Sequence, residues 1–197
     1  DRPSEISAEV WMSEPLKDTD SKIVGTAVVG VGVSKGGVSA SVVVAGRRAD
    51  GLPHVETLER AAGTWWVESY VRAVMVSHSG VLVAWDNAGP TRVIAPELMR
   101  AAGGKDKCRP LAGREWSGAC EAFALAVAEQ RIRHLGDVFL EDAVAGGFRL
   151  VTGAGWVWDM NEAQADITPL TAATAALRAL ESIPEQAAPE EAWTIVL

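Results

Sequence analysis

Valine and small residues fill positions 23–48 almost without a polar break. The stretch reads I-V-G-T-A-V-V-G-V-G-V, then S-K-G-G, then V-S-A-S-V-V-V-A-G-R-R. β-Branched side chains stiffen the backbone toward the extended region, and glycine supplies the positive φ of a tight turn. The pattern predicts a β-hairpin turning at 34–37. Its first strand shows no alternation, so it belongs in the middle of a sheet with both faces covered. Gly32 is a small weakness within that strand. A turn at 49–51 then leads to alternation over 54–58, a third strand that completes an antiparallel meander.

Helical spacing follows. Trp65, Tyr70, Val71, Val74 and Met75 recur on one face after Gly63 and Thr64. Residues 81–85, V-L-V-A-W, predict a short buried strand ending in Asp86. Pro96 suits the first position of a helix that Gly103 and Gly104 close. A strand is expected over 107–111 and a helix over 114–131, with Trp116, Cys120, Phe123, Ala124 and Val127 on one face. Residues 137–145 read as another helix, and 148–152 with 156–159 as two short strands about a glycine turn. Thr168 caps the last helix, Pro169 takes its first position, and Leu170, Ala173, Leu177 and Leu180 form its stripe. Residues 1–22 are a polar lead-in with anchors at Ile6, Val10, Trp11 and Leu16. Residues 23–181 are the domain, and 182–197 an acidic tail ending in W-T-I-V-L. Three antiparallel strands followed by β-α-β units describe an α/β mixed sheet with flanking helices, the element order of the ribonuclease H-like fold.

Composition narrows the function. With 197 residues, 48% of them hydrophobic and 22% charged, the chain suits one domain with a large core. No apolar run reaches the ~18 residues that span a bilayer, and the polar start carries no secretory signal. A start at Asp1 rather than Met reads as a piece of something longer. Cys108 and Cys120 are too few for a disulfide framework and read as reduced thiols in a cytoplasmic compartment. A net charge of -8 argues against a general nucleic-acid coat protein, yet leaves room for a basic rim around an acidic, metal-filled centre.

The ends of buried strands are where α/β sheets build sites. Asp86 follows V-L-V-A-W directly, and Asp166 precedes the last helix. Carboxylates at such points bind magnesium or manganese through hard oxygen ligands, and a metal pair would activate water for phosphodiester hydrolysis. Each acid also has an ordinary reading: Asp86 shapes its own loop, and Asp166 is a helix-start acid favoured by the helix dipole. His54, His78 and His134 are scattered and read as structural or surface residues. Arg47, Arg48, Arg109, Arg114, Arg131 and Arg133 are candidates for a phosphate-contacting rim. No G-x-S-x-G elbow and no G-x-x-x-x-G-K-[ST] occurs, which leaves this piece without a Walker-type nucleotide site.

Taken together, V-V-G-V-G-V-S (28–34), A-G-R-R-A-D-G (45–51), W-D-N-A-G-P (85–90), R-E-W-S-G-A-C (114–120), R-H-L-G (133–136), W-V-W-D (156–159) and D-I-T-P-L-T-A-A-T (166–174) carry a likeness by their order and spacing. The chain resembles the C-terminal nuclease domain of tailed-phage or prophage terminase large subunits. That resemblance implies a ribonuclease H-like fold and a metal-dependent endonuclease that cuts concatemeric double-stranded DNA with magnesium or manganese, as two ions. It also implies an ATPase motor domain N-terminal to this piece, a small terminase subunit and a portal as partners, and the cytoplasm of the bacterial host as the setting. Asp86 matches the family's second metal-binding acid and Asp166 the acid before the last helix. The first acid of the family's G-V-D-V-S pattern is absent, because the chain reads Gly30-Val31-Gly32-Val33-Ser34. Asp159 and Glu162 are the nearest replacement acids. Two readings stay open: an endonuclease, or a catalytically impaired DNA-binding or assembly module of the packaging motor. A third, weaker one is a different enzyme of the same fold class, such as a phosphotransferase.

Overall fold

The computed structural model describes residues 3–163 and 165–184. Six strands form one mixed sheet: β1 (Ala27–Val33), β2 (Ser39–Arg47), β3 (Pro53–Ala62), β4 (Leu82–Asp86), β5 (Cys108–Leu111) and β6 (Arg133–His134), in the order β5-β4-β1-β2-β3-β6. β1 pairs antiparallel with β2 and parallel with β4, and every residue of β1 is buried, as its unbroken valine run requires. The turn between β1 and β2 is a short 3-10 segment, Lys35–Gly37, in which Gly36 takes φ 74°. β3 runs to Ala62, well past the alternating stretch seen in the sequence. The meander and mixed sheet are those of the ribonuclease H-like architecture.

Two layers of helices cover the sheet. α2 (Val67–Ser77) and α3 (Ala95–Ala102) pack on one face, against Val29, Val31, Val83 and Trp85. On the other face lies α6 (Thr168–Glu181), backed by α4 (Gly113–Ala128) and α5 (Val138–Ala145). α6 is almost wholly buried, and its small residues let it settle close to the sheet. The closeness is extreme at two places. A Cβ added at Gly30 would lie 2.8 Å from the Ala172 carbonyl carbon and 2.9 Å from the Ala176 methyl. One added at Gly32 would run into the Thr168 carbonyl and lie 2.5 Å from Thr171 Oγ1. Gly30 and Gly32 are therefore the floor on which α6 rests.

A separate two-stranded sheet, β7 (Arg149–Thr152) with β8 (Gly155–Trp158), stands beside this layer. The Trp158 indole N–H donates to Thr174 Oγ1 on α6 at 2.9 Å, and Ser117 Oγ on α4 donates to the Trp156 carbonyl at 2.9 Å. These bonds fix the hairpin over the sheet's upper end.

The lead-in is built into the core. It carries a one-turn helix α1 (Ala8–Trp11), and Ile6, Trp11 and Leu16 are buried in the same cluster as α4, α5 and α6, whereas Val10 faces solvent. Trp11 stacks on His134 at 3.9 Å between ring centres, nearly parallel, and its carbonyl accepts from His134 Nε2 at 2.8 Å. Burial holds His134 below the ordinary imidazole range, which suits a neutral structural ring. Among the described residues, no helix is long and apolar enough to cross a membrane. The terminal W-T-I-V-L lies outside the described residues.

Candidate functional site

A groove of about 1010 Å³ opens at the upper end of the sheet. Its walls are the 34–37 turn, the 88–94 segment after β4, the start of α4, and the β7–β8 hairpin. Asp86 lies in its floor. Alternation along β4 sends Val83 and Trp85 toward α2 and α3, so Leu82, Ala84 and Asp86 face the α6 layer. The loop after Asp86 is pinned to β1, because Val33 N–H donates to Thr91 Oγ1 at 3.0 Å. Lys35 and Arg92 are the cations lining the groove, and Lys35 Nζ donates to Asn161 Oδ1 at 3.2 Å.

Asp86 is buried, and Ala88 N–H donates to its Oδ1 at 2.8 Å. Burial pushes its carboxyl above the ordinary range, against hydrogen bonds from Ala88 and Gly89 that pull the other way. Folding thus favours protonated Asp86, and its stabilising contribution is lost as pH rises through the folded value. Asp86→Asn is accordingly expected to raise the melting temperature at neutral pH by roughly 2–4 °C, the shift that about 1 kcal/mol gives at this size. The gain should vanish near the ordinary carboxylate value, where both proteins are neutral at this position. Thermal denaturation of the pair across that range checks it, and a gain that persists into acid contradicts the cause given.

Asp166 sits elsewhere. It lines an adjoining cavity of about 440 Å³ that shares Ser34, Lys35 and Met160 with the groove. Its Oδ2 accepts Arg60 Nε at 3.0 Å and Arg60 Nη2 at 2.7 Å, and its Oδ1 accepts the Thr168 N–H at 3.0 Å. Burial pushes this carboxyl up, but hydrogen bonds from Thr168, Ser39 and Arg60 outweigh it and hold the group below the ordinary carboxylate range. Thr168 is the first residue of α6 rather than its cap, and Asp166 receives its amide, so the helix-start reading of this acid describes its contacts.

The row between the two acids explains the arrangement. One step beyond the Val31–Trp85 pair, Gly32 stands level with Asp86 across β1 and β4. Gly32 pairs with Ser41, and Ser41 pairs with Arg60. The row is therefore Asp86, Gly32, Ser41, Arg60, all on the α6 face. The first turn of α6 sits directly on it, with Thr168 Oγ1 at 2.7 Å from Ser41 Oγ.

A divalent metal pair does not fit this donor set. Among the described residues, no group of three or more His, Cys, Asp or Glu side chains is placed to hold a metal ion. Position 32 offers no carboxylate and no room for one. A side chain at that position would meet the Thr168 backbone. Asp159 is buried after β8, where its Oδ1 accepts the amides of Asn161 and Glu162 and shapes that turn. The proposed phosphate rim also looks different. Arg48 pairs with Asp18 and Asp50, Arg131 with Glu129, and Arg47, Arg109 and Arg133 donate to backbone carbonyls. None of the six candidate arginines lines the groove. Cys108 and Cys120 are both free and buried, and burial raises both thiols.

No protein-family model matches the chain, and no curated protein matches it either. Solved structures do. The large terminase of bacteriophage HK97 superposes with a TM-score of 0.67 at 15% identity, over 89% of this chain and 43% of that one. The large terminase nuclease of thermophilic phage G20c superposes with a TM-score of 0.62 at 18% identity, over 88% of this chain and 97% of that one. The chain shares the fold of phage large-terminase nuclease domains. It spans 43% of the HK97 large terminase and nearly all of the G20c nuclease structure. Structures of the G20c terminase nuclease also exist with bound magnesium and with bound cobalt. Set on this terminase-nuclease fold, Arg60 is the residue that sequence reasoning missed.

Proposed function

We propose that this chain is the nuclease-fold domain of a viral DNA-packaging terminase, working as a DNA-binding or assembly module in which phosphodiester hydrolysis is impaired. One observation carries the impairment: the α6 backbone at Thr168 occupies the space that a side chain on Gly32 would need. Two supports accompany it, the separation of Asp86 from Asp166 into adjoining cavities and the saturation of Asp166 by Arg60 and Thr168. The groove that holds Lys35 and Arg92 is the place for double-stranded DNA. Residues 23–181 form the functional unit on this reading, with 1–22 as its lead-in and 182–197 as its tail. An N-terminal ATPase motor, a small terminase subunit and a portal are its partners, in the cytoplasm of the host.

The second reading is a metal-dependent endonuclease using magnesium or manganese, with Asp86 and Asp166 as ligands of two ions. Two facts favour it: Asp86 keeps its carboxylate in the groove floor, and the G20c nuclease binds magnesium and cobalt. Supercoiled plasmid with manganese separates the two, followed by a mobility-shift assay on linear duplex. The impaired-module reading predicts retention of duplex and no nicking. Robust nicking that Asp86→Asn abolishes would establish the endonuclease instead, and the absence of both nicking and duplex retention would remove the endonuclease and the DNA-binding role alike.

A further inference from the structure

We propose that the Arg60 guanidinium takes the place of a divalent cation beside Asp166, so that this domain keeps its fold and groove without metal. The inference rests on the terminase-nuclease reading only for which cation is expected there. The contacts themselves are local. Both Arg60 bonds to Asp166 fall on one oxygen, at 3.0 and 2.7 Å, while the other oxygen takes the Thr168 amide. A planar guanidinium donating twice to a carboxylate is a directed and strong pairing. The guanidinium also lies over the Phe139 ring, its central carbon 5.8 Å from the ring centre.

A β-bulge places it there. Val42 pairs with Glu59 and Val43 with Thr57, which leaves Leu58 as the extra residue on β3. The bulge advances the register by one, and a one-residue slip exchanges the two faces of a strand. Carried on without the bulge, the Val43–Thr57 register would set Glu59 opposite Ser41, and a second carboxylate would face Asp166. With it, Arg60 closes the row of Asp86, Gly32 and Ser41. The same row therefore offers no carboxylate at position 32 and brings a fixed cation at position 60.

Thermal denaturation with and without manganese ion tests this on the intact chain. Saturating a genuine site at a hundred times its dissociation constant raises the melting temperature by roughly 5–10 °C at this size. The wild type should stay within about 1 °C, because no site forms. Arg60→Ala should melt several degrees lower, since Asp166 is left half-buried without its counter-charge, and manganese should recover part of that loss. Arg60→Lys should fall between the two and stay insensitive to manganese, which keeps the test decisive where Arg60→Ala does not fold. A manganese-dependent rise in the wild type overturns the inference, as does an Arg60→Ala protein with wild-type stability. Plasmid nicking and duplex retention report on the proposed function separately: a wild type that answers manganese but still holds DNA uncut sinks only the Arg60 assignment.

Discussion

Gly32→Asp strongly destabilises this protein and does not create a nuclease. From sequence alone the substitution looks like a repair, since it restores an acid at the one motif position that lacks it. The structure makes it a collision. The new Cβ would lie 3.0 Å from the Thr168 carbonyl carbon and 2.5 Å from Thr171 Oγ1, both on the first turn of a buried helix. α6 cannot lift locally, because Ala172 and Ala176 are seated equally closely on Gly30. Overpacking alone costs about 1–3 kcal/mol, and an unpaired buried carboxylate adds several more. A loss of at least about 4 kcal/mol is expected, out of the roughly 5–15 kcal/mol that holds a domain together. Denaturant unfolding measures it. A folded Gly32→Asp protein that nicks plasmid in manganese contradicts the packing argument.

Trp11→Ala carries the second large effect, expected at about 3–5 kcal/mol. The indole is fully buried, stacks on His134, and lies 6.1 Å from the Phe123 ring centre. Its removal leaves a cavity between α1, α4 and the short β6, where Lys17 also bridges to His134. His134 loses its stacking partner as well. Denaturant melts of the substituted and wild-type chains supply the difference. A cost below about 1 kcal/mol would mean that the lead-in rests on the surface rather than in the core.

The parts of this fold that were legible in sequence are those governed by local pattern. The unbroken valine run placed β1 at the sheet centre, the Lys35–Gly37 turn set the hairpin, and the alanine-leucine stripe marked α6. Asp86 was legible for the same reason, as the first acid after an apolar strand. What remained hidden depends on contacts distant in the chain. Gly32 reads as a weak point in a strand until α6, over a hundred residues later, is seen resting on it. Arg60 lay beyond the alternation that marked β3, and a bulge at Leu58 defeats any count of register from the hairpin turn. The two-residue β6 has too little pattern to be seen at all. Each acid can be picked out singly in the sequence, while its place on one or the other of two adjoining cavities depends on how the chain packs.

Diffraction from crystals soaked in manganese, with the ion's anomalous signal mapped, tests the central claim most directly. The account predicts no ordered ion along the row of Asp86, Gly32, Ser41 and Arg60, with the Arg60–Asp166 pair intact. Two manganese ions bridging Asp86 and Asp166, with Arg60 displaced and α6 lifted from Gly32, would contradict it.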